Sequence, residues 1–97
     1  MAKLRRIVLD VLKPHEPSVI DLSQSISAAK GVDCVDITIV SVDRKVENAR
    51  ITIEGQSLNY DRIKKIINDN GGTVKSIDRA SSGAVMSDRK QVEITPE

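Results

Sequence analysis

Ninety-seven residues with no Phe, no Trp and one Tyr suffice for one domain with a single core of Ile, Val and Leu. Fifteen Lys and Arg against fourteen Asp and Glu leave a net charge of +1, so no general field draws nucleic acid or an anionic membrane. No apolar run approaches the ~20 residues that span a bilayer, and Asp10 interrupts the apolar stretch behind the basic N-terminus, which argues against a secretory signal. The lone Cys34 allows neither an internal disulfide nor a thiolate metal cage, so an intracellular, cytoplasmic protein is expected.

The first strand is expected over Leu4–Leu12. Ile7, Leu9 and Val11 share the face turned to the helices, and Arg6, Val8, Asp10 and Leu12 point the other way. Lys13-Pro14-His15-Glu16-Pro17 reads as a connection, because its prolines remove backbone donors. A helix follows over Val19–Ala29, with Pro17 in its first turn, Ser18 and Asp21 as an approximate capping box, and Gly31 as its stop. Strand 2, Val35–Val42, alternates Val35, Ile37 and Ile39 against Asp36, Thr38, Val40 and Val42. A polar hairpin, Asp43–Asn48, leads to strand 3, in which Ala49, Ile51 and Ile53 oppose Arg50, Thr52 and Glu54. The second helix, Asp61–Asp69, has Asn59 as N-cap, Leu58 stapled to Ile63, a buried stripe of Ile63, Ile66 and Ile67, and a left-handed stop at Asn70-Gly71-Gly72. Strand 4 covers about Thr73–Arg79, Ser81-Ser82-Gly83 is a turn, and a tail runs over Ala84–Glu97. The order βαββαβ predicts a ferredoxin-like α+β sandwich, an antiparallel sheet in order 4-1-3-2 under two helices, as one domain over 1–97 with its core in 4–80.

Few residues carry chemistry. Arg6, Asp10, Arg50 and Glu54 are neighbours on the open face, where RNA-recognition modules of this topology place stacking aromatics, so these charges read as solvated ion pairs. Val8, Leu12, Val40 and Val42 on that face need cover, from the tail or from a second subunit, and self-association is favoured. Asp43 and Glu47 flank a hairpin that also holds Asn48, and hard cations such as Ca²⁺ or Mg²⁺ take several oxygens at one point; the alternative is ordinary hairpin polarity. His15 has no positioned partner legible in the sequence, and a loop contact suits it better than general-base work. Cys34 reads as a buried or half-buried inert thiol. No phosphate-binding glycine loop and no nucleophile elbow are present, and no enzyme is expected.

Arg5–Pro17 (RRIVLDVLKPHEP), Gly31-Val32, Asp43 with Glu47-Asn48, Ile51-Thr52-Ile53, Tyr60-Asp61, Gly71-Gly72 and Ser76-Ile77-Asp78 together resemble the mostly archaeal domain of unknown function 211 family over residues 5 to 78. The resemblance implies a ferredoxin-like fold, homo-oligomers, no established activity, and a metal or ligand role for the matching acids Asp10, Asp43, Glu47 and Asp78. After Asp78 the chain departs from the family pattern, since Arg79 stands where an acidic residue is expected.

The leading expectation is a non-enzymatic, homo-oligomeric binding module for a divalent cation or small ligand. The alternative is a regulatory amino-acid sensor like the ACT domain, with its ligand near the first strand–helix loop, where His15 and Glu16 are the candidate contacts. Against that alternative, Pro14-His15-Glu16-Pro17 lacks the glycine that ACT loops usually carry. An acylphosphatase would need a loop arginine after strand 1, and a heavy-metal carrier would need a Cys-x-x-Cys; the chain has neither.

Overall fold

A computed structural model describes residues 2–85. The elements run β1 (Leu4–Pro14), α1 (Val19–Ser27), β2 (Val32–Val42), β3 (Val46–Gly55), α2 (Tyr60–Asp69) and β4 (Thr73–Ser82). All pairings are antiparallel and the sheet order is β2-β3-β1-β4, the predicted order read from the other edge. The two helices cover one face, so the fold is the ferredoxin-like α+β sandwich.

Alternation in the sequence becomes register in the sheet. Leu9 pairs with Ile51, Ile7 with Ile53 and Val11 with Ala49, and all six are buried. Leu22 and Ile26 of α1 and Ile63 and Ile67 of α2 close over them. Leu58, just before α2, joins this cluster, as the predicted staple to Ile63 requires. Ile66 is only half-buried, against its expected place in the buried stripe of α2, and Ile37 and Ile39 of β2 are half-buried as well. Ile37 and Ile39 lie on an edge strand, and Ile66 flanks the stripe made by Ile63 and Ile67.

The helix starts follow their caps. Ser18 Oγ accepts from the Asp21 amide at 3.2 Å, and Asn59 Oδ1 accepts from the Arg62 amide at 3.1 Å. Pro17 therefore stands before the cap rather than in the first turn. α1 ends at Ser27, two residues earlier than predicted. Gly71, at φ 87°, is the left-handed stop of α2.

Every strand but β2 extends beyond its expected C-terminal end. β1 continues through Lys13 to Pro14, opposite Glu47 and Val46 of β3. A proline is tolerated there because β4 pairing has already stopped at Leu12↔Thr73, so the missing N–H breaks no rung on that side. β3 begins at Val46, which places Glu47 and Asn48 in the strand instead of the turn, and Ser81 and Ser82 belong to β4. A bulge between Ile39 and Ser41 moves Val42 opposite Glu47, on the helix side of the sheet, and overturns its open-face assignment. Cys34 is exposed, not buried, on the outer strand β2. Val85 is exposed, and the expected strand pairing of the tail from Met86 onward lies outside the described residues.

Candidate functional site

The buried face of β1 does not end with Val11. One step further in the alternation stands Lys13, whose side chain is 1 % exposed. Its stem extends the apolar row, and its ammonium is satisfied at the sheet's end: Nζ donates to the Pro14 carbonyl at 2.7 Å and to Glu47 Oε1 at 2.8 Å. Glu47 is the cross-strand partner of Lys13, so sheet register brings the two together.

The second Glu47 oxygen is also occupied. His15 Nδ1 lies 3.0 Å from Glu47 Oε2, and His15 Nε2 lies 2.8 Å from the Arg44 carbonyl. The bond to Glu47, then that to the Arg44 carbonyl, raises the His15 pKa above its ordinary 6.5. The bonds from His15 and Lys13 hold the Glu47 carboxyl below its ordinary value. Lys13, His15 and Glu47 thus form one cluster that ties the loop after β1 to the β2–β3 hairpin. That hairpin is closed by the Asp43 amide donating to the Val46 carbonyl at 2.8 Å.

The four acids proposed as metal ligands are not brought to one point. Glu47 shares the helix side with Lys13, whereas Asp10 belongs to the open face, opposite Arg50 and Ser76. Asp78 Oδ1 accepts from Ser76 Oγ at 2.7 Å, and Asp10 Oδ2 stands 3.9 Å from Lys75 Nζ. Asp43 Oδ1 accepts from the Arg44 amide at 2.6 Å, and Glu16 is exposed. Among the described residues, no three His, Cys, Asp or Glu side chains converge as a metal site. On the open face Arg6 Nε meets Glu54 Oε2 at 2.8 Å, the expected cross-strand ion pair. At the other end of β3, about 26 Å from Glu47 at ~3.3 Å per residue, a hollow of about 720 Å³ is lined by Lys30, Gly31, Ser57, Tyr60 and Arg62 among others.

Lys13 is the residue that sequence reasoning missed. Its signal was present, since the row Ile7, Leu9, Val11 lands on position 13 if the strand runs one rung longer. Proline in the next position hid that rung. Among the described residues one buried side-chain atom, Asn48 Oδ1, has no hydrogen-bond partner; Asn48 lies between Leu12 and Ser41.

Comparison with known proteins sets this geometry in a family. The profile of DUF211, described as "Uncharacterized ArCR", matches residues 5–95, a longer span than the 5 to 78 over which the motifs resemble the family. The uncharacterized protein MJ0319 of Methanocaldococcus jannaschii is 45 % identical over 83 residues, covering 86 % of each chain. With the profile spanning nearly the whole chain and this archaeal relative matching along most of its length, the chain belongs to the DUF211 family.

Proposed function

We propose that this protein is a non-enzymatic, homo-oligomeric binding module. The observation that carries the proposal is the exposure of its sheet edges. β4 is an edge strand of ten residues in which all but Val74 and Ser81 are exposed, Ile77 among them at 51 %. On the opposite edge, the bulge in β2 leaves Val40 at 51 % and Val42 at 66 % exposed. Among the described residues no further strand pairs with the outer edge of β2 or β4, and such edge backbone beside apolar side chains gains both hydrogen bonds and burial when a second chain covers it. The non-enzymatic part draws support from the Lys13–His15–Glu47 cluster, whose charged groups are taken up by one another. Among the described residues no helix is long and apolar enough to cross a membrane.

Light scattering coupled to gel filtration, at micromolar protein and moderate salt, is expected to give a multiple of the 10.6 kDa chain mass. A mass of one chain at every concentration refutes self-association.

Self-association has stronger support than cation binding. Both Glu47 oxygens already face a nitrogen, so Ca²⁺ or Mg²⁺ at Asp43 and Glu47 must displace Lys13 or His15. Millimolar Ca²⁺ or Mg²⁺ is therefore expected to leave the melting temperature unchanged. A rise that Glu47→Gln abolishes would restore the cation reading, because a ligand of the native state stabilises it by RT ln(1 + [L]/Kd). The amino-acid-sensing alternative gains no support from the loop after β1, where His15 is committed to the hairpin.

A further inference from the structure

We propose that His15 is a proton-controlled clasp between the loop after β1 and the β2–β3 hairpin, closed when the imidazole is charged and loosened when it is neutral. The geometry is that of a doubly protonated ring. Nδ1 faces a carboxylate oxygen of Glu47 at 3.0 Å and Nε2 faces the Arg44 carbonyl at 2.8 Å. A backbone carbonyl and a carboxylate both accept, so both nitrogens must donate. A neutral ring has one N–H and turns a lone pair toward one of the two oxygens, and the clasp then falls to a single bond.

The surroundings favour the charged ring. From β3, Glu47 supplies the negative partner; from β1, Lys13 is the opposing cation, but its ammonium sits on the other Glu47 oxygen. From the hairpin comes the Arg44 carbonyl, while the Asp43 carboxylate is engaged with the Arg44 amide. The bond to Glu47 and then that to the Arg44 carbonyl raise the His15 pKa above 6.5. For a group raised on folding, the contribution to stability is complete below the unfolded value and disappears as pH rises through the folded one. For Glu47, held low, it is complete above the ordinary carboxyl range and disappears as pH falls through the lowered value. The clasp is therefore fully closed at mildly acid pH, between the ordinary carboxyl range and 6.5, and it opens on the alkaline side.

His15 is the single histidine of the chain, so its ring proton resonances report it alone. In an NMR titration of the whole chain between about pH 5 and 8, the midpoint is expected above 6.5, and the amides of Arg44, Lys45 and Val46 should shift with that same midpoint. Glu47→Gln should return the midpoint toward the ordinary value. Glu47→Gln also deprives the buried Lys13 of its carboxylate, so His15→Gln is the second variant. It keeps the Lys13–Glu47 pair and should abolish the hairpin titration. A His15 midpoint at or below 6.5, or hairpin amides that still titrate in His15→Gln, would overturn the proposal.

Discussion

Alanine at position 55 is expected to destabilise the fold by about 3 kcal/mol or more, toward the upper end of overpacking penalties. Gly55 closes β3 opposite Val32, is buried, and offers its carbonyl to Arg5 Nε at 3.1 Å. A Cβ there would overlap the Gly31 carbonyl oxygen and lie 2.8 Å from Leu58 Cδ2. The leucine tip can turn away, but the carbonyl cannot. Gly31 itself is held at φ 92°, and a Cβ on it would overlap the Ser57 carbonyl. The link from α1 to β2 and the link from β3 to α2 thus pass backbone against backbone, with no space for even one methyl group. Urea unfolding of Gly55→Ala measures the cost. A loss under about 1 kcal/mol would mean that the two links can separate cheaply.

Leu9→Ala and Ile51→Ala should each cost about 2–5 kcal/mol, against a total stability of roughly 5–15 kcal/mol for a domain of this kind. Both side chains are fully buried, and they face each other across the central β1–β3 pair. The cost combines lost transfer energy with a cavity that the rigid sheet can fill only in part. Because the residues are direct partners, the double variant should depart from the sum of the single effects by 0.5 kcal/mol or more in magnitude, roughly the lower limit for contacting pairs. Chemical denaturation of the three variants tests both statements. Losses below about half a kcal/mol at both single sites would contradict the placement of these residues under the helices.

The two arguments differ in what could be read before the fold was known. Leu9 and Ile51 announce themselves, since each sits within a period-two run whose other face carries Arg6, Asp10, Arg50 and Glu54. Gly55 gives no such signal, because its constraint comes from the Gly31 carbonyl, twenty-four residues earlier in the chain (55 minus 31). The candidate site divides in the same way. Asp43 and Glu47 stood out as hairpin acids, whereas the cation that takes Glu47 is Lys13, thirty-four residues away.

Local order was therefore determined by the sequence alone: six elements in the order βαββαβ, the buried face of β1 and β3, the Ser18 and Asn59 caps, and the stop at Gly71. These depend on spacing and on backbone preference within a few residues. Tertiary structure alone decided the strand ends, the bulge that turns Val42 to the helix side, the close passage at Gly31 and Gly55, and the joining of Lys13, His15 and Glu47. Each of these depends on which backbone lies alongside. A strand continues only while a neighbour accepts its rungs, and a charge can be buried only where the fold delivers its counter-charge.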